Sequence, residues 1–205
     1  MTSAAASALP WRVNGFAAAL QRQAPADAVG GSTAAGGAFI RSIRERDPDA
    51  WRSLFDGEMP AIYRYALSRL GDAARAEDAA SDVFEQAYRN AASFHDRGLP
   101  PRAWLFGIAR HVVGSHRRSW FRRPPQLAIE AFDGGGEDRG LSPDRLDLAR
   151  ALAELEAAHC EVISLRFLHG LSLQETAEVI GVSTDAVKGR QARALAALRG
   201  RMVDR

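Results

Sequence analysis

Residues 172–199 read SLQETAEVIGVSTDAVKGRQARALAALR, and this stretch decides the fold. Ser172 and Glu175 have the Ser-x-x-Glu spacing of a capping box, in which each side chain takes up a backbone N–H left over at a helix start. The helix they open, Leu173 to Ile180, is short, because Gly181 follows and a left-handed turn costs glycine least. Val182 is placed to tuck inward, Ser183 or Thr184 to cap the next helix, and Val187 to plug the angle between the two. A short helix, a glycine turn and a second helix make a helix-turn-helix, whose second helix enters the DNA major groove. That second helix carries Thr184, Lys188, Arg190, Gln191 and Arg193. An arginine can bond two acceptors on guanine, and any of these cations can hold a phosphate.

Outward from this stretch, charge is segregated. The net charge of +2 hides two cationic blocks: six Arg and no acid over residues 102–123, and one Lys with four Arg and no acid over 186–201. Between them, residues 124–147 hold six acids against two Arg. Two cationic blocks on either side of an acidic spacer predict two separate surfaces for a polyanion.

The rest of the chain reads as helix. Ala, Leu, Arg and Glu recur, and no long alternating Val/Ile/Thr stretch occurs. Residues 1–38 are rich in Ala, Gly, Ser and Pro and are expected to form a disordered arm, with a short helix at Trp11–Gln23 as the one candidate element. Asp47-Pro48 is an N-cap followed by a proline in the first turn, and Trp51, Leu54, Phe55, Ile62, Tyr65 and Leu70 follow at helical spacing. A second helix follows Gly71-Asp72, and a third, Arg102 to Trp120, follows the break at Gly98-Leu99-Pro100-Pro101. Pro124-Pro125 and Gly134–Gly136 mark a flexible linker, and Ser142-Pro143 restarts helix. The expected fold is therefore all-α. Two small helical domains, 39–122 and 143–203, are joined by an acidic linker at 123–142, and the second domain is the helix-turn-helix.

Enzyme chemistry finds no footing. There is no Gly-x-x-x-x-Gly-Lys loop, Ser119 and Ser172 lack a nucleophile-elbow setting, and His111 and His116 are five apart, off the shared face that a zinc pair needs. No catalytic residue, cofactor or metal is expected. Cys160 is the one cysteine and lies in an apolar helical stretch, so a buried thiol is expected. No apolar run is long enough to cross a bilayer and the N-terminus lacks a secretion-signal pattern, which makes membrane insertion unexpected and the cytoplasm the expected location.

Three stretches together resemble the extracytoplasmic-function (ECF) sigma factors of the sigma-70 family, over residues 39–203. LEAAHCEVISLRFLHGLSLQETAEVIGVSTDAVKGRQARALAALR resembles the family's domain four, which reads the minus-thirty-five promoter element. AEDAASDVFEQAYRNAASF resembles the helix that grips the coiled coil of the polymerase clamp, and PRAWLFGIARHVVGSHRRSW the helix that reads and opens the minus-ten element. The resemblance implies a protein that directs core RNA polymerase to promoters and assists their opening. It places Asp78, Ser81, Asp82 and Glu85 on the clamp-binding surface. Arg110, Arg117 and Arg118 become phosphate contacts at the minus-ten element, and Trp120 a platform on which an unpaired base stacks. A base-capture pocket is expected near Phe94 and His111, while Trp104 and Phe106 are expected to pack in the core. The implied partners are core polymerase and promoter DNA, together with the anti-sigma protein that restrains many family members. The acidic linker would thread the RNA exit region of the polymerase.

Three positions depart from the family pattern. His111 stands where Asn is common, Ser81 where Gln is common, and Gly189 where Ser is common; glycine inside a helix costs about 1 kcal/mol, which a close backbone approach would explain. The competing reading is an independent helix-turn-helix regulator that binds DNA without core polymerase. It needs a sensing domain in residues 39–122, where no strand pattern for a phospho-acceptor fold is visible.

Overall fold

The computed structural model describes residues 33–94, 98–118, 150–152 and 154–203, all of whose regular structure is helical. Helix α1 (Thr33–Arg44) is followed by α2 (Pro48–Leu70), α3 (Ala73–Arg89), a short 3-10 turn (Ala91–Ser93) and α4 (Pro101–Arg118). Then come α5 (Ala157–Ile163), which widens into a π-helical turn at Ser164–Leu168, and the pair α6 (Leu173–Ile180) and α7 (Thr184–Val203). The expected linker, Trp120, the Ser142-Pro143 cap and the Trp11–Gln23 helix lie outside the described residues. Helix α1 reaches back to Thr33, six residues into the stretch expected to be unstructured, where Ala34, Ala35 and Ala38 are strong helix formers.

Local chemistry fixes the helix ends. The Asp47 side chain accepts from the Ala50 N–H at 2.9 Å with Pro48 in the first turn, as read from the sequence, and Gly71 closes α2 in the left-handed region (φ 67°). Asp72 caps α3 through the Arg75 N–H at 2.9 Å. Arg46, itself left-handed at φ 58°, donates to the carbonyls of Tyr88 and Arg89, each at 3.1 Å. It thereby satisfies acceptors that the end of α3 would otherwise leave open.

Helices α2, α3 and α4 pack as a three-helix core around Trp51, Phe55, Ile62, Val83, Phe84 and Phe106, all buried. The indole N–H of Trp51 donates to the Ile43 carbonyl at 2.9 Å, tying α1 to this core. The C-terminal helices have smaller clusters of their own. Leu152, Leu155, Cys160 and Ile163 pack on Ala194 and Leu198, and Val162 meets Ala177 and Val187 between α6 and α7. Cys160 is buried as expected, and burial raises its thiol pKa.

The two sets of helices are not separate bodies. Leu165, Leu171 and Val179 join the N-terminal core cluster, and α6 lies against α4. Polar groups line the join. Tyr65 Oη donates to Glu161 Oε1 at 2.8 Å, Arg69 pairs with Glu161 Oε2 at 2.8 Å, and Arg102 sits 3.3 Å from Glu58 while donating to the His169 carbonyl. The His169 ring, 4% exposed, lies edge-on to Tyr65 (centroids 5.6 Å) and tilted against Phe106 (5.2 Å), and neither ring nitrogen has a hydrogen-bond partner. Burial first, then the charges of Arg64, Arg102 and Arg69, push its pKa down to about 3.

Folded His169 thus stays neutral at pH values where an unfolded histidine, with a pKa near 6.5, takes up a proton. Between those two pKa values the unfolded chain binds more protons, so stability falls as pH drops below 6.5. Tyr65 and Glu58 also face this ring or its arginines; burial raises the Glu58 carboxyl, a shift that acts on stability in the opposite sense. His169→Phe, which keeps the ring and removes the titrating nitrogens, should lose about 1.4 kcal/mol less stability than the parent between pH 7.5 and 5.5 in urea unfolding. Equal losses in the two proteins would show that the ring does not set this dependence.

Candidate nucleic-acid interface

The helix-turn-helix forms as its caps dictate. The Ser172 Oγ accepts from the Glu175 N–H at 3.1 Å, and the Glu175 carboxylate accepts from the Ser172 N–H at 2.6 Å. Gly181 is left-handed at φ 76°. The Ser183 Oγ accepts from the Ala186 N–H at 3.2 Å, so Ser183 is the cap and Thr184 the first residue of α7. Val187 is fully buried and Val182 partly so.

On α7, Thr184, Lys188 and Arg193 are exposed, while Arg190 and Gln191 are half-buried. At 100° per residue, Thr184, Lys188 and Gln191 fall within one 60° sector, whereas Arg193 lies about 140° round from Lys188. The five predicted residues therefore present two faces rather than one. Lys188 reaches Asp185 at 3.1 Å, and the Gln191 amide oxygen accepts from Arg166 Nε at 3.1 Å. Arg166 also donates to the Leu171 carbonyl, so the π-helical turn braces the recognition helix. Arg166 was not picked out from the sequence, where a cation 25 residues away gives no sign of meeting Gln191.

Helix α3 carries Asp78, Ser81, Asp82 and Glu85 on a single face, as the i, i+3, i+4, i+7 spacing requires, opposite the buried Ala76, Ala79, Val83 and Ala87. Asp78, Ser81 and Asp82 are exposed and Glu85 is half-buried, pairing with Arg89. Asp82 is held by His116 Nε2 at 2.8 Å, a contact that ties the acidic face of α3 to the last turns of α4. This partner was also missed, because 34 residues separate the two.

Arg110, Arg117 and Arg118 are exposed on α4, and Arg110 and Arg117 lie two turns apart on nearly the same line. Phe94 is buried and stacks on Trp104, with ring centroids 4.6 Å apart and planes 27° from parallel. The two rings border a recess of about 170 Å³ with Ser93, Leu99, Pro100 and Ala103. The expected neighbour His111 is elsewhere. It lies two turns, about 10 Å, beyond Trp104, its Nδ1 is 2.9 Å from the Gly107 carbonyl, and it lines the groove between α3 and α4 with Asp82 and Glu85. The structure thus corrects the pairing of Phe94 with His111. Phe106 is core as expected, whereas Trp104 is only half-buried. Among the described residues, no cluster of three His, Cys, Asp or Glu side chains is placed to hold a metal, and no helix is long and apolar enough to cross a membrane.

Comparison with known proteins agrees with this arrangement. The family described as Sigma-70 region 2 matches residues 54–122, and that described as Sigma-70, region 4 matches residues 151–200. The ECF RNA polymerase sigma factor SigL of Mycobacterium tuberculosis is 35% identical over 156 residues, 72% of this chain and 86% of that protein. Among solved structures, CnrH in complex with the cytosolic domain of CnrY superposes with a TM-score of 0.62 at 26% identity, covering 83% of this chain and 97% of that one. The sigma factor RpoE of Bartonella quintana, in complex with the anti-sigma factor NepR, gives 0.53 at 29% identity over 72% and 93%.

Gly189 has no backbone close by. A Cβ there would meet only the Arg193 guanidinium, at 3.8 and 3.9 Å, ordinary contact distances. Without a steric reason for glycine, Gly189→Ala should stabilise α7 by about 0.5–1 kcal/mol, seen as a higher melting temperature. A lower one would reveal a constraint on the backbone at this turn.

Proposed function

The chain belongs to the ECF RNA polymerase sigma factors of the sigma-70 family, and from that membership we propose how its surfaces divide the work of promoter recognition. As a sigma factor it gives RNA polymerase its promoter specificity in transcription initiation; sigma factors are not in general an enzyme family. The observation that carries the reading is the presence of region 2 and region 4 in order on one chain, with 35% identity to SigL across most of that protein. An independent regulator has no use for region 2, so that alternative is not favoured.

In the proposed division, residues 39–122 bind core polymerase and the minus-ten element, and residues 143–203 bind the minus-thirty-five element. Asp78, Ser81, Asp82 and Glu85 grip the clamp coiled coil, an acidic helix face being suited to a cationic partner. The exposed Arg110, Arg117 and Arg118 hold phosphates, while the Phe94–Trp104 recess offers an unpaired base a stacking wall. Trp120, next along the chain, would add a second platform. His111, on the α3–α4 groove, serves the polymerase side rather than base capture. On α7 the first turns read base edges through Thr184, Lys188 and Gln191, as recognition helices do with their N-terminal residues, and Arg190 and Arg193 hold flanking phosphates. Residues 123–142 tether the two halves along the RNA exit region. The protein works where polymerase and chromosome are, which we place in the cytoplasm. The B. quintana neighbour was solved with an anti-sigma factor, and a regulator of that kind is the further partner we propose here.

The direct test adds the chain to sigma-free core polymerase on fragmented genomic DNA and sequences the RNA 5′ ends. The expected result is a set of new starts sharing upstream motifs. DNA binding without any core-dependent transcript would return the regulator reading. Asp82→Arg should weaken core binding at least tenfold by reversing charge on the clamp face while leaving the fold intact, and unchanged affinity in a pull-down titration would remove Asp82 from that surface. Lys188→Ala should relax sequence choice at one upstream base pair by about 1–3 kcal/mol, whereas Arg193→Ala should weaken all sequences alike. The opposite pattern would exchange the two faces.

A further inference from the structure

We propose that Asp185 and Lys188 act as one fork that reads a single C·G base pair of the upstream element, the carboxylate taking the cytosine and the ammonium the guanine. This inference rests on the assignment of α7 to the minus-thirty-five element made above, and adds to it a residue and a base pair.

Asp185 stands in the first turn of α7, an acid on the helix that faces a polyanion. Two ordinary duties do not account for it. It is not the helix cap, because the Ser183 Oγ takes the Ala186 N–H at 3.2 Å. It does not support the core, because its side chain is 86% exposed. At 100° per residue it lies about 140–180° round the helix from the buried Val187, Ala194 and Leu198. It falls about 60° from Lys188 and about 80° from Arg193, between the two. The outermost line of the reading face therefore begins with a carboxylate. Like charge makes that carboxylate unfavourable beside the phosphates of any duplex, and a donor on a base edge is what offsets the repulsion.

The Lys188 Nζ donates to Asp185 Oδ1 at 3.1 Å, and the lysine side chain is also mostly exposed. The pair thus sets an acceptor beside a donor at hydrogen-bond spacing. The major-groove edge of a C·G pair shows the complement, the cytosine N4 donor beside the guanine O6 acceptor, with guanine N7 next to that. N4 and O6 are themselves hydrogen-bonded, about 2.9 Å apart, so the two spacings match. The second carboxylate oxygen can accept from N4, and the ammonium has two more N–H groups for O6 and N7. An A·T pair has a donor and an acceptor in the same order. Thymine, however, offers the ammonium one acceptor beside a methyl group, where guanine offers two. A reversed G·C pair sets the carboxylate against the guanine acceptors with no proton between them, so it is repelled rather than merely missed.

Reach is the remaining condition. An aspartate is short, and the helix must sit deep in the groove for its carboxylate to touch a base. Gly189 and Ala192 lie within about 40° of Asp185 on the same outward line. Neither carries more than a methyl group, and small residues let a backbone come close to a ligand. Within the protein a Cβ at Gly189 would meet only the Arg193 guanidinium, so the room that this glycine leaves is on the DNA side.

The fork is tested with the full chain and core polymerase on a promoter library randomised through the upstream element. Sequencing the transcripts gives the base preference at each position. The parent should prefer C·G at one position by about tenfold or more. Asp185→Ala should cut that preference by about fivefold or more, keep the preferences elsewhere, and raise transcription from promoters that lack the pair. Lys188→Ala should relax the same position, and the double variant should lose no more than the larger single loss. Asp185→Asn, whose amide can bond adenine N6 and N7 together, should move the preferred base there from cytosine to adenine. A purely structural ion pair would not redirect a base preference. Relaxation at different positions in the two single variants, additive losses in the double variant, or an Asp185→Ala profile equal to that of the parent would overturn the fork. If no protein of the set, parent included, yields core-dependent transcripts, the sigma-factor reading is what fails, and the same library selected for binding by the chain alone decides the fork by the same criteria. Loss of helicity in Asp185→Ala by circular dichroism would leave the decision to Asp185→Asn, for which an unmoved cytosine preference overturns the fork.

Discussion

Charge buried at a join between two bodies obeys a strict rule: each ion taken from water must find a counter-ion or a hydrogen-bonding partner, because its desolvation costs several kcal/mol. In this chain Arg69 and Glu161 meet that demand only when the two sets of helices lie together, whereas Arg102 finds Glu58 within its own half and gives a further donor to the His169 carbonyl of the other. Arg69 and Glu161 are on opposite sides, as are Arg102 and the His169 carbonyl it binds. Around them Leu165 and Leu171 of one half join Tyr65 and Phe106 of the other in one buried cluster. A join of the same area built only of leucine would hold more firmly and could not be given back to water so readily. The raised Glu58 pKa, set mainly by burial and offset by Arg102, reflects how dry this join is.

Much of the local structure was legible because it is local. The capping box, the glycine turn and the Ser183 cap involve residues three or fewer apart, and each sits where the spacing predicted. The same holds for the Asp47-Pro48 start and for the acidic face of α3, which a 3.6-residue period fixes once the buried alanines are recognised. Contacts across long stretches of chain carried no such signature. Tyr65 and Glu161 are 96 residues apart, and nothing in either neighbourhood announces the other. His116 meeting Asp82 and Arg166 meeting Gln191 are of the same kind. The pairing of Phe94 with His111 failed for a geometric reason: both flank the same helix, yet two turns of α4 carry His111 away from the recess and into the groove shared with α3.

The recognition helix shows how the fold sharpens a list into a surface. Composition alone makes every cation on α7 equivalent. Placing Val187, Ala194 and Leu198 against the core leaves Thr184 and Lys188 on one outward side and Arg193 on another, so positions that are close in sequence face different parts of a duplex. In the division of roles we propose, base reading and phosphate holding separate along the helix circumference. Arg166 fixes Gln191 on the same side as Lys188, from the π-helical turn whose Leu165 also packs in the buried join.

The account turns on the two reading surfaces acting through one polymerase. DNase footprinting of a promoter fragment reports this directly. Protection of both the minus-ten and the minus-thirty-five segments when the chain and core polymerase are present together, and of neither with core polymerase alone, is the predicted result. The same footprint from the chain without polymerase would contradict it.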